Sequence, residues 1–332
     1  MKKYYYILFI GLLSLLTGCE EEFDMDFPDY AADGIVFKGL ITNEKPPYFF
    51  HLSRPASMSA GDNVYEGIED ATLVVTDITA DIKDTMQLTK PYSVDYYYGG
   101  MLYNYYDYYN KKNTSAVINI QYKNCCNGMY VTTKIYGIEG HSYRLDIYRG
   151  ENHYQSDIQK MEPALVITDM KLKKFDLGTG KASSWAPCIS FINPPGVDNY
   201  YMFRTYYASY THFTFISPQE VLNCDENWKY SMLSDEYLEN NVVDFLIDDG
   251  ENALGYPNGR DYPKGDSVYV WAHTISKSCY DIFEQMKTQF RSDGGAYTPV
   301  PTGVKGNISG GVYGCFRVSA VSEKGVHTGN EH

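Results

Sequence analysis

Tryptophan is nearly absent from this chain, at 3 of 332 residues, and cysteine and histidine number only seven each. No two cysteines stand in a CxxC spacing, which excludes a thioredoxin-like motif and a zinc ribbon. Basic residues are also short, with 28 Lys and Arg against 42 Asp and Glu, for a formal net charge of -14. A surface that acidic repels phosphate, so nucleic acid is not an expected partner. No HExxH occurs, and Gly265-Asp266-Ser267-Val268-Tyr269 lacks the second glycine of a nucleophile elbow. Gly178-Thr179-Gly180-Lys181 is not a phosphate loop, because Phe175 replaces its first glycine and Ala182 follows the lysine. It reads instead as a hairpin turn between Leu172 and Trp185. Hydrophobic residues make up 44% of the chain and charged residues 21%, enough to bury a core and fold. The one excess is tyrosine: 34, against 15 phenylalanines.

The amino-terminal segment carries an address. Lys2 and Lys3 precede the apolar run Tyr4–Leu16, which is shorter than the roughly 20 residues a permanent membrane helix needs and reads as a cleaved secretory signal. Leu16-Thr17-Gly18-Cys19 resembles the lipobox of bacterial lipoproteins, in which cleavage precedes the cysteine and the cysteine carries the lipid. Diacylglycerol and acyl chains, palmitate among them, anchor stably at about 0.8 kcal/mol per buried methylene. Glu20, Glu21, Glu22, Asp24 and Asp26 follow at once, a solvated acidic tether. The expected organisation is a signal peptide (1–18), a lipid-anchored acidic tether (19–33), an amino-terminal β-sandwich with a tyrosine-rich hairpin (34–162) and a carboxy-terminal β-rich domain with a helix near 279–290 (163–332).

The rest of the chain reads as mainly β. Tyr143, Leu145 and Ile147 alternate onto one strand face, and the same period recurs in Val268–His273 and Val312–Val321. Further strands are expected at Ile35–Thr42, Tyr48–Ser53, Ala71–Asp77, Ala116–Tyr122, Met129–Tyr136, Leu165–Leu172, Tyr200–Tyr207 and Val242–Ile247. Short strands separated by Gly, Pro, Asn and Asp point to two β-sandwich domains, immunoglobulin-like or transthyretin-like, rather than to βαβ units. One short α-helix is expected in the second domain. Ser278 caps it with Asp281 three residues on, and Cys279, Ile282, Phe283, Met286 and Phe290 form its apolar stripe.

Residues 92–109 hold nine tyrosines around Gly99-Gly100, a composition that predicts a hairpin. Adjacent tyrosines point to opposite strand faces, so one core cannot bury them all. Tyr96, Tyr97, Tyr98, Tyr103, Tyr105 and Tyr106 are therefore the candidate surface for a partner or ligand; packing of the hairpin on its own domain is the alternative. Asp248, Asp249 and Glu251 gather oxygen ligands in one loop, a weak metal candidate that does not match EF-hand spacing. His51, His141 and His273 lie in or beside strands and read as structural. Cys125, Cys126, Cys188, Cys224, Cys279 and Cys315 remain after the anchor, and exported chains tolerate disulfides. Six cysteines allow 15 connectivities, among which sequence does not choose.

A family resemblance rests on a series of short motifs. They are Ile35-Val36-Phe37-Lys38-Gly39-Leu40-Ile41-Thr42-Asn43, Phe50-His51-Leu52-Ser53-Arg54 and Ile68-Glu69-Asp70-Ala71-Thr72-Leu73-Val74. Gly140-His141-Ser142-Tyr143-Arg144-Leu145, Gly265-Asp266-Ser267-Val268, Ser276–Phe283 and Asn307-Ile308-Ser309-Gly310-Gly311-Val312-Tyr313-Gly314 follow. In order and spacing the chain resembles Bacteroidota surface lipoproteins of domain-of-unknown-function family 4249. The resemblance implies no reaction, no catalytic residues and no cofactor. Family members are often encoded beside TonB-dependent outer-membrane transporters, which implies an accessory role in nutrient uptake. The expected function is thus a non-enzymatic outer-membrane lipoprotein, facing the cell exterior, that serves a TonB-dependent transporter or captures its solute or glycan. A surface hydrolase acting on glycan or peptide, and a structural or adhesive component, are the alternatives.

Overall fold

Strand Ser142–Arg149 illustrates how the sequence specifies this molecule. Tyr143, Leu145 and Ile147 are fully buried, on the face that the alternation assigns to a core. The computed structural model describes residues 34–55, 66–89, 93–97, 100–107, 110–118, 127–132, 134–175, 184–208, 231–247, 267–291, 304 and 306–328. In chain order the strands begin with β1 (Val36–Thr42), β2 (Tyr48–Ser53), β3 (Thr72–Asp77), β4 (Ile82–Thr85), β5 (Gln87–Leu88), β6 (Ser93–Tyr97), β7 (Gly100–Asp107) and β8 (Lys112–Ile118). They continue with β9 (Met129–Thr132), β10 (Ser142–Arg149), β11 (Asn152–Gln155), β12 (Gln159–Lys160), β13 (Val166–Phe175) and β14 (Ser184–Ile192). The last part holds β15 (Tyr200–Ala208), β16 (Ser231–Ser234), β17 (Asn241–Leu246), β18 (Ser267–Ile275), helix α1 (Lys277–Arg291) and β19 (Tyr313–His327).

The largest sheet runs β16-β15-β18-β19-β1-β2-β9-β5. Its pivot is the long strand β19. The first half, Tyr313–Ser319, lies parallel to β1, and Ala320–His327 lies antiparallel to β18. Each half of this sheet is covered by a smaller one. β10 and β3, in the sheet β11-β10-β3-β4, close the first core. There Leu73, Val75, Tyr143, Leu145 and Ile147 meet Phe37, Phe50, Leu52, Tyr130, Phe316 and Val318. The sheet β13-β14-β17 closes the second core, where Leu172, Ile189 and Phe191 meet Tyr201, Phe203, Val268 and Val270. The fold is mainly β, two sandwiches sharing one strand. The chain passes from the first core at Met161 to the second at Leu165.

Aromatic rings set the geometry of the first core. Phe37 meets Phe50 edge-on at 5.5 Å between centroids, and Phe316 stands 6.4 and 5.9 Å from the two. Gly39 leaves the space for them, since a Cβ there would lie 2.3 Å from Phe37 Cζ. Gly314 meets a different need. Its φ of 102° is open to glycine, and a Cβ there would stand 2.0 Å from the Phe37 carbonyl oxygen. β19 can therefore lie against β1 at that point only without a side chain.

Helix α1 lies on the outer face of the large sheet, where Cys279 and Phe283 pack with Met202, Ile275 and Cys315. The expected stripe is borne out at Cys279 and Ile282, both buried. The expected cap is corrected. Ser276, not Ser278, accepts the backbone N–H of Cys279 at 3.3 Å, because the helix begins at Lys277. Asp281 instead pairs with Lys277 at 2.7 Å. Three strand expectations shift as well. The strand expected at Met129–Tyr136 ends at Thr132, that at Ala116–Tyr122 starts at Lys112, and β14, whose start the expected hairpin at Trp185 implied, extends to Ile192. Among the described residues no helix is long and apolar enough to cross a membrane.

Candidate functional site

The tyrosine-rich segment forms the expected hairpin and extends it to three strands. β6 and β7 pair from Ser93↔Asn104 to Tyr97↔Gly100, and β7 and β8 pair from Met101↔Ile118 to Asp107↔Lys112. Side chains lock the second turn. Asp107 accepts the Asn110 backbone N–H at 3.0 Å and the Asn110 side-chain amide at 2.7 Å. Across the strands the Ser115 hydroxyl donates to Asn104 Oδ1 at 2.6 Å.

Strand period divides the tyrosines that can be described. Tyr105 is 1% exposed and packs edge-on against Phe49 of β2, with centroids 5.5 Å apart. Burial raises its phenol pKa to about 12, with Asp107 adding to the shift. Tyr106, the next residue, is 40% exposed. Tyr105 thus seats the sheet on the first sandwich, while on the opposite face of β7 Tyr106 is partly exposed and Asn104 is buried. Tyr96, Tyr97 and Tyr103 lie in the strands, but their side chains, and Tyr98 altogether, fall outside the described residues. So do the lipobox residues Leu16, Thr17, Gly18 and Cys19 and the acidic loop residues Asp248, Asp249 and Glu251.

Several of the described polar side chains with chemical potential serve as structural ties. Asp77 accepts from His141 Nδ1 at 2.8 Å and from the Ala80 N–H at 3.0 Å, fixing a turn and joining the end of β3 to the start of β10. A carboxylate–imidazole pair acts in acyl transfer when the imidazole in turn holds a nucleophile. Among the described residues no hydroxyl or thiol is bonded to His141. Asp146, on β10, accepts from Arg144, His153 and Gln155 at 3.1, 2.8 and 2.8 Å. Although burial alone would raise its pKa, the three donors hold it below the ordinary carboxylate value. His51 is fully buried on β2, with its Nε2 3.0 Å from the Asn127 carbonyl oxygen. Burial and the charge of Lys38 push its pKa down to about 4. His273 is buried and held neutral in the same way, by burial first and then by Arg317 and Arg204. Among the described residues no three His, Cys, Asp or Glu side chains gather as a metal site.

Several described residues of the quoted motifs serve packing. Gly39 makes room for rings, Ser276 caps α1, and the Asn307 side chain binds both the N–H and the carbonyl of Phe316 at 2.8 Å. A family model described as Domain of unknown function (DUF4249) matches residues 20–325. The chain belongs to this family. In this DUF4249 protein the matched span takes in both sandwiches and the tyrosine sheet, which is therefore built within the family domain. A search of curated proteins finds no match to the chain.

Two associations join residues distant in sequence. His141 pairs with Asp77 of another strand. Tyr105, expected as part of the partner or ligand surface, is instead buried against Phe49. No local pattern signals either contact.

Proposed function

We propose that this chain is an outer-membrane surface lipoprotein of the Bacteroidota type, anchored through Cys19, and that it works by contact as the accessory of a TonB-dependent nutrient transporter. The observation that carries the reading is the division of the tyrosine sheet. Tyr105 fastens one face to the protein, while Tyr106 presents an amphipathic ring on the other. A ring fixed on a strand loses little conformational freedom on binding, which is why interfaces enrich tyrosine at their energetic centres. Among the described residues, Asp77, His141 and Asp146 are engaged in holding strands and turns. The lipobox and the acidic tether support the address, and the family's gene neighbourhood supports the partner.

Two experiments test this. Cys19→Ser should release the protein from membranes and abolish incorporation of labelled palmitate; unchanged fractionation and labelling would refute the anchor. Tyr97→Ala/Tyr106→Ala should keep its thermal melt and lose a co-purifying transporter in native pull-downs. Equal recovery by the variant would refute the contact surface.

A further inference from the structure

Cys279 sits in the first turn of α1, and Cys315 sits in β19 opposite Lys38 of β1. Both belong to the apolar contact between the helix and the outer face of the large sheet. The Cys279 sulfur is fully covered and aimed at β19. It lies 3.6 Å from the Phe316 carbonyl oxygen, 3.7 Å from Gln159 Oε1 and 3.8 Å from Asn307 Nδ2. The Cys279 and Cys315 thiols are themselves in hydrogen-bond contact, and both are free thiols in this structure. Cys188, the other described cysteine, belongs to β14 and lies outside this cluster. The helix start is held from several sides, by the Ser276 cap and by the bond from the Ser276 hydroxyl to Gln159 at 2.5 Å.

We propose that Cys279 and Cys315 are a disulfide-forming pair whose bond clamps the first turn of α1 to the start of β19. The two sulfurs are unequal. Burial works against a Cys279 thiolate, but the Cys315 thiol, the Ser276 hydroxyl and the charge of Arg317 outweigh it and lower the pKa. Burial and the neighbouring Cys279 raise that of Cys315. That inequality belongs to the docked helix; before docking, the thiolate of either cysteine attacks the disulfide of an external dithiol–disulfide oxidant, expelling one oxidant sulfur as a thiolate. The other cysteine, deprotonated in turn, attacks the protein sulfur of the mixed disulfide and expels the second. Two thiols become one S–S bond, and two electrons and two protons pass to the oxidant. Because the folded helix covers Cys279, the exchange precedes its docking. In cells the bond rests on the export proposed above, since disulfides persist outside reducing compartments.

The test uses the full chain, purified in detergent with reductant, unfolded, and refolded in a glutathione redox buffer. Non-reducing digestion and mass spectrometry should recover a Cys279–Cys315 linked peptide as the main disulfide. Closing a loop of about 37 residues should raise the melting midpoint by roughly 5–10 °C over the reduced protein. The Cys279→Ser/Cys315→Ser variant should melt at one midpoint with or without oxidant. Recovery of both cysteines as alkylatable thiols, or linkage of either to Cys125, Cys126, Cys188 or Cys224, would overturn the proposal. Peptide mapping needs no variant, so it decides the pairing even where the double mutant misfolds. The same peptide should be trapped from membranes of producing cells. A pair that closes in the buffer but is reduced in cells supports the clamp and counts against export.

Discussion

At the scale of single residues, much of the tyrosine excess is load taken inside the protein. Tyr48, Tyr105, Tyr130, Tyr143 and Tyr201 are all essentially buried, and four of them use the hydroxyl to tie down a loop. The Tyr143 hydroxyl donates to the Tyr136 carbonyl at 2.7 Å and accepts the Ile138 N–H at 2.8 Å. Tyr130 donates to Ile68, Tyr48 to Thr42, and Tyr201 to the Asn193 side chain. Burial is the largest cause of the raised pKa values, to about 12 for Tyr130 and Tyr143. Tyr143→Phe keeps the ring but strands two backbone groups, so chemical denaturation should show a loss of about 1–2 kcal/mol; a cost near zero would contradict this role. His51 gives a second residue-scale prediction. Its folded pKa of about 4 lies below the unfolded value of about 6.5, so its contribution is fully present above pH 6.5 and is lost as pH falls toward 4. The size is about 3 kcal/mol, at 1.36 kcal/mol per pKa unit. His51→Gln should flatten the stability curve by that order between pH 7 and 4. Parallel curves for the two proteins would show that His51 is not buried in its neutral form.

Elements were legible where the apolar pattern is strong and illegible where tertiary contact decides. β2, β3, β10, β15 and β18 fall within two residues of their expected bounds: β10 alternates onto one buried face, whereas β2 and β18 are apolar runs buried on both. The hairpin expected between Leu172 and Trp185 implied the start of β14, but not its run to Ile192, because Pro187 interrupts it and proline cannot donate to a ladder. Its pairing with β13 on one side and β17 on the other makes the strand despite that residue. Ser276 and Ser278 both precede the apolar stripe of α1, so composition did not decide which one caps it. The bond to Cys279 N–H does. Ser276→Ala should lower stability by about 1 kcal/mol, and Ser278→Ala by less. Thermal melts of the two variants decide the matter, and the reverse order would restore Ser278 as the cap. The hairpin at Gly99-Gly100 was legible from its glycines and β-prone arms. Its third strand and its seat on Phe49 were not, since both depend on residues distant in sequence.

At the scale of the whole molecule, β19 holds the two sandwiches together by pairing with β1 along its first half and with β18 along its second. Such a shared strand ties the two sandwiches into one continuous sheet. The proposed function places the molecule beside the outer membrane on an acidic tether, with the tyrosine sheet as its contact. The most direct measurement is photo-crosslinking in intact producing cells, with a crosslinking amino acid placed at Tyr106 and, as a buried control, at Tyr143. The account predicts a crosslink from position 106 to a TonB-dependent transporter, identified by mass spectrometry, and none from position 143. A folded, surface-exposed protein that yields no transporter adduct from position 106 would contradict it.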